Sequence, residues 1–309
     1  MNRGRLQGIG AVLMAAILWG TTGTAATFAP DVGPLAIGAA ALGIGGILQA
    51  LIALPALSRA RLHLKAHAGF VVTGAVAVFA YPLAFYSSMH LAGVAVGTVI
   101  SLASAPLASG VLERFVDRKV LGRWWYVAVV LGITGSMLLI VSTQDESRAA
   151  VMSTVAGIIL GLVAGTSYAV YSWVVQRLMG AGVGRAAAMG SVFGLGGLLL
   201  MPVLVVTGAP LSETPQALAV GSYMALVPMF LGYVAFGYGL SKIPASSATT
   251  LTLIEPAVAT VLAVVIVGER LTVVGWLGLA IFGVVLVLLA VAPSPPRRLG
   301  VQVTEILRR

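Results

Sequence analysis

Long apolar runs separated by short polar links set the pattern of this chain, and ten such runs can be marked. They lie at about 6–28, 34–57, 68–90, 93–114, 122–142, 152–178, 185–207, 216–240, 245–268 and 271–292. Each is close to the roughly 20 residues that a helix needs to cross a hydrocarbon core of about 30 Å. The pattern predicts an all-α membrane protein with ten transmembrane helices. The links are too short to hold a soluble catalytic domain.

Charge sits in the links and orients the runs. With a cytoplasmic N-terminus, the cytoplasmic pieces are 1–5, 58–67, 114–123, 177–185, 241–244 and 293–309, and they hold 16 of the 18 Lys and Arg residues. Only Arg148 and Arg270 fall outside them. This bias places both termini in the cytoplasm. It also accounts for the net charge of +9 without any nucleic acid partner. Removing the first run as a signal peptide would invert the bias of every later link, so it is read as a retained helix. Composition agrees: the chain is 59% hydrophobic and 9% charged, where soluble domains carry about 25% charged residues. There is no cysteine, which excludes disulfides and thiolate metal sites. Residues 293–309, Pro-rich and basic, read as a cytoplasmic tail near anionic lipid.

The runs repeat. A shift of about 150 residues lays 85–123 over 235–273, with Pro106 on Pro256, Ala95 on Ala245 and Leu121 on Leu271. The same shift lays 8–19 near 157–168. Five helices per half is an odd number, so the halves face opposite ways. The expected architecture is two inverted five-helix repeats, 1–145 and 146–292, with a site near the midplane where they meet.

Candidate chemistry centres on Glu255, in the middle of the ninth run and followed by Pro256. A carboxylate at that depth costs about 2.5–3.5 kcal/mol on insertion scales, and no Lys, Arg or His lies at a comparable depth in any run. It is expected to bind a substrate ammonium or to exchange protons. The competing reading is a structural carboxyl that satisfies backbone groups freed by Pro256. Pro106 and Pro256 are either hinges or static helix bends. Helical arithmetic at about 100° per residue gathers further candidates onto shared faces. These are Trp19 and Thr22 on the first helix, Tyr81 and Phe85 on the third, and Ser101 and Ser104 on the fourth. Tyr168 and Tyr171 follow on the sixth, Tyr233 on the eighth, and Thr252 beside Glu255 on the ninth. Together they predict a central cavity whose aromatics hold an apolar group while hydroxyls and a carboxylate hold polar ends. Ordinary packing is the better account of any single Gly, Ser or Thr, and of the Gly157, Gly161, Gly165 ladder.

Enzyme classes are excluded one by one. His63, His67 and His90 all precede residue 91, and His63 and His67 lack the Glu of a zinc protease helix. No histidine follows Ser109-Gly110, and no pair of intramembrane aspartates exists. One mid-membrane charge is too little for a channel lining. No metal, nucleotide or other cofactor is expected. The expected partners are a small metabolite, membrane lipid and, as a coupling ion, protons, with the protein a monomer or homodimer.

The motifs also carry a resemblance. Residues Tyr238-Gly-Leu-Ser-Lys-Ile-Pro-Ala-Ser-Ser-Ala248, Glu255-Pro256 and Gly268-Glu-Arg-Leu-Thr272 resemble the EamA domain, the five-helix unit of the drug/metabolite transporter superfamily. The opening Leu18-Trp19-Gly20-Thr21-Thr22 is similar to the start of the same unit. The likeness covers nearly the whole chain as two copies. The first copy departs from it, with Ala105 in place of Glu255 and Asp117-Arg118-Lys119 in place of Gly-Glu-Arg. The resemblance implies a multi-pass exporter of small metabolites in a bacterial inner membrane, with neutral or aromatic amino acids as the leading substrate class. A drug or other metabolite is the alternative cargo; nucleotide sugars are disfavoured because the intramembrane faces have no Lys or Arg for phosphate.

Overall fold

The computed structural model describes residues 3–116, 123–141, 148–240, 242, 251–252 and 254–291. The predicted tail, 293–309, lies outside them, as does 243–250. All regular structure among the described residues is helical. Seven helices are long and apolar enough to cross a membrane: α1 (Leu6–Thr27), α2 (Pro34–Ala66), α3 (Ala68–Ala92), α4 (Val94–Phe115), α6 (Arg148–Gly180), α7 (Arg185–Thr207) and α8 (Pro215–Gly239). Three more carry shorter apolar stretches. They are α5 (Arg123–Val141), α9 (Ile254–Leu262, continued by a π turn at Ala263–Val267) and α10 (Val273–Val291). Each helix falls in one of the apolar runs. α2 continues past its run to Ala66, since Arg59, Arg61 and Lys65 are good helix formers once the helix has started.

Two further helices contain a π turn: α2 at Ala39–Ile44 and α8 at Ala225–Leu231, the latter around Pro228. Such turns insert an extra residue into the hydrogen-bond ladder and re-aim the side chains nearby.

Packing follows a simple exchange rule. α3 packs on α6 and α7, and α4 on α6; correspondingly α8 packs on α1 and α2, and α9 on α1. The pairs α2–α7, α5–α10 and α4–α9 map onto themselves when every number is moved by five. Backbones approach closely along these seams because glycine leaves room. A Cβ on Gly46 of α2 would lie 2.4 Å from the Phe193 carbonyl oxygen of α7, and one on Gly165 of α6 would lie 1.9 Å from Ser104 Oγ of α4. Phe193, Leu42, Ile100 and Val174 fill the buried centre.

Candidate functional site

The site grows from aromatic residues that five helices bring together. On α1, the Trp19 indole N–H donates to the Pro228 carbonyl of the α8 π turn at 2.9 Å. Its ring lies 4.9 Å from Tyr233 and 5.3 Å from Phe236 of α8. On α3, Tyr81 and Phe85 are one turn apart and stack at 5.5 Å. Tyr168 and Tyr171 of α6 each sit 5.8 Å from Tyr81. Phe193 of α7 closes the series, 5.3 Å from Tyr171 and 5.0 Å from Tyr233. A chain of tilted and edge-on rings thus runs from α1 through α8, α7 and α6 to α3. Each such contact contributes about 0.5–1.5 kcal/mol beyond area burial, so the chain also stiffens the centre of the bundle.

Against these rings lies a cavity. Its walls include Trp19, Thr22, Tyr81, Phe85, Tyr168 and Tyr233, with Glu255 from α9. Leu42, Pro82, Tyr86 and Met229 complete it, and no Lys, Arg or His contributes. Glu255 is 9% exposed and is therefore a carboxyl held inside the protein. The open space is about 20 Å³, on the order of one water, so a larger guest requires side chains to move. The hydroxyls of Tyr86 and Tyr171 are buried, with Thr22 beside the first and Tyr233 beside the second.

Of the eleven residues expected to line a cavity, seven do so. Tyr171 stands just behind, in the ring chain. Ser101 and Ser104 do not reach the cavity: their hydroxyls donate to α4's own backbone, at Gly97 O (2.8 Å) and Ser101 O (3.2 Å), and they face the Gly165 side of α6. The helical wheel grouped them by face but could not tell which neighbour that face meets. Thr252 is half-buried, one turn before Glu255, and outside the lining. Position 106 lies inside the continuous helix α4, and position 256 lies within α9. The side chains of Pro106 and Pro256 are outside the described residues. Leu42, Pro82, Tyr86 and Met229 were not foreseen. Leu42 and Met229 sit in π turns, and only Pro228 hinted at one. Among the described residues no cluster of three His, Asp or Glu side chains is arranged to hold a metal.

The sequence profile of the EamA-like transporter family matches residues 6–141 and again residues 155–291. The chain belongs to this family. An uncharacterized transporter of Bacillus subtilis (strain 168), YwfM, is 38% identical over 284 residues, covering 91% of this chain and 93% of that protein. An uncharacterized transporter of Clostridium kluyveri is 29% identical over 235 residues, covering 75% of this chain and 66% of its relative. A protein crystal structure superposes with a TM-score of 0.59 at 19% identity, covering 92% of this chain and 94% of that one, which shows a shared fold. Family, relatives and apolar helices together make this an integral, multi-pass membrane transporter. The ring-lined cavity takes its walls from both matched segments, 6–141 and 155–291.

Proposed function

We propose that this transporter exports small neutral, above all aromatic, amino acids from the cytoplasm across a bacterial inner membrane. It works by alternating access between two inverted five-helix repeats, residues 1–145 and 146–292, with both termini cytoplasmic. The two family matches and the exchange rule in the packing support the repeat. The bias of 16 basic residues to one side supports the orientation. One observation carries the substrate class: a single carboxyl, Glu255, faces a cavity walled by five aromatic residues besides Trp19 and supplied with no cation. In this reading the rings take an aromatic or aliphatic side chain, Glu255 takes the ammonium, and the tyrosine hydroxyls of the lining are donors for polar ends. The same lining also fits flat organic cations, which keeps drug export as the second reading. The cargo gradient, or protons exchanged at Glu255, supplies the driving force.

Counterflow in liposomes tests it. Vesicles loaded with unlabelled phenylalanine, tyrosine, tryptophan or leucine are expected to accumulate the labelled form of the same amino acid. Folded protein that accumulates none of them removes the amino acid reading. Accumulation of ethidium in their place selects the second.

A further inference from the structure

Glu269 does something that its position at the end of an apolar run does not announce. Its carboxylate accepts the backbone N–H of Val94 through Oε1 and that of Ala95 through Oε2, the latter at 3.1 Å. Those are the first two N–H groups of α4, which no carbonyl within the helix can satisfy. Charge-assisted bonds of this kind are about twice as strong as neutral ones, and the helix dipole adds to them. The geometry is set from both sides. Gly93, at φ 89°, turns the chain so that the start of α4 faces α9, and Gly268, at φ 78°, ends the α9 π turn so that Glu269 points back. The Glu269 N–H donates to Ala263 O at 3.1 Å, which ties the carboxylate to that turn. The α3–α4 turn is gripped from α6 as well: Ser153 donates to Leu91 O at 3.1 Å and Ser88 to Gly157 O at 2.7 Å.

Among the described residues, these bonds join the two halves of the chain at the start of α4. The shift that lays Leu121 on Leu271 lays Lys119 on Glu269, and a lysine ammonium has no acceptor to offer to helix N–H groups. α9 also carries Glu255, fourteen residues before Glu269, so a displacement of α9 at the cavity reaches the α4 terminus along one helix.

We propose that Glu269 is a latch and a positioning residue. It holds the α3–α4 turn against the end of α9, keeps the cavity shut on that side of the membrane, and is released when α9 moves during transport. This rests on the alternating-access reading above but not on the identity of the cargo.

The chain has no cysteine, so one introduced thiol reports on the seam alone. Thr24 is buried at 4% on the end of α1 that packs on the α9 π turn, and Thr24→Cys is close to isosteric. The full-length protein in vesicles would be treated with a membrane-impermeant maleimide from each side in turn. A second single-cysteine protein, Arg308→Cys, establishes which side holds the tail. Glu269→Ala is expected to raise Thr24→Cys labelling at least about tenfold from the α3–α4 side, the scale of one lost charge-assisted bond. Glu269→Asp falls between the two. Val94→Pro removes one donor from the opposite partner at a first-turn position that accepts proline, and is expected to act in the same direction. Folded Glu269→Ala and Val94→Pro proteins that label no faster than the parent overturn the latch. Where a variant does not fold, hydrogen exchange in the unsubstituted protein decides. Amides 94–97 exchanging faster than mid-α4 support a latch that opens, and equal protection overturns it. Failure of amino acid counterflow leaves these outcomes untouched, and a tail labelled from the wrong side corrects the orientation alone.

Discussion

α4 and α9 occupy equivalent places in the two halves, yet they are built for different work. α4 runs from Val94 to Phe115, and its hydroxyl face, Ser101 to Ala105, is pressed onto α6 at Gly165, with Ile100 against Gly161. α9 carries Glu255 into the cavity and ends in a π turn, a left-handed Gly268 and the carboxylate of Glu269. In α4 the hydroxyls of Ser101 and Ser104 are consumed by the helix's own backbone. In α9 both acids leave the helix, one toward the cavity and the other toward the start of α4. A repeat supplies the common frame, and departures from it put chemistry on one side.

Ala105→Glu breaks the comparison most severely. It places in α4 the carboxyl that α9 has at Glu255. Ala105 is 4% exposed, and its backbone N would be 3.0 Å from a Cβ on Gly165. There is no cavity to receive the group. The expected cost is at least about 3 kcal/mol, from overpacking and a buried acid together. The measure is loss of monodisperse protein in detergent and a lowered unfolding temperature. Parental stability would mean that α4 has as much room as α9.

Glu255→Gln is the converse change, since it makes α9 more like α4 while keeping the side chain's shape. Stability should move little, because an amide is cheaper to bury than a carboxylate. Transport in the counterflow assay is expected to fall at least about tenfold, the loss of one charged contact to an ammonium. Any dependence of rate on pH that Glu255 sets should flatten. A variant that transports like the parent at every pH would make Glu255 a structural carboxyl.

The contrast between the two helices also marks what could be read from the chain. Apolar runs and basic links were legible because membrane thickness and charge bias act on whole segments. The cavity's rings were legible because Trp19, Tyr81 and Tyr168 lie too deep for an interfacial belt. Ser101 and Ser104 were grouped correctly on a face, but a wheel does not know that the face meets α6 and its glycines rather than open space. Leu42 and Met229 were hidden by π turns, which slip the ladder by one residue and leave no dependable mark in sequence. Glu269 looked like a flanking charge, because the N–H groups it accepts are 174 and 175 residues away.

The smallest effect expected concerns how tightly each helix sits on its neighbour, and it separates α4 from α9 without touching either acid. Gly165→Ala adds a Cβ 1.9 Å from Ser104 Oγ and 2.5 Å from Ser101 O of α4. Gly20→Ala adds one 2.8 Å from Val258 side-chain carbons and 3.0 Å from Glu255 O of α9. The hydroxyl of Ser104 can rotate away, but the Ser101 carbonyl is fixed by its helix, so the α6–α4 seam must open. Overpacking of this kind costs about 1–3 kcal/mol. Gly165→Ala should fall near the upper end and Gly20→Ala near the lower, read as the difference between their unfolding temperatures in the same detergent. Adding Ser104→Ala to Gly165→Ala should recover only part of the loss, since it clears the hydroxyl and leaves the carbonyl. Full recovery would place the whole clash on the side chain. Equal losses at Gly165 and Gly20 would mean that α9 is clamped to α1 as firmly as α4 is to α6, and the mobile partner at the cavity would then have to be sought among α3 and α8.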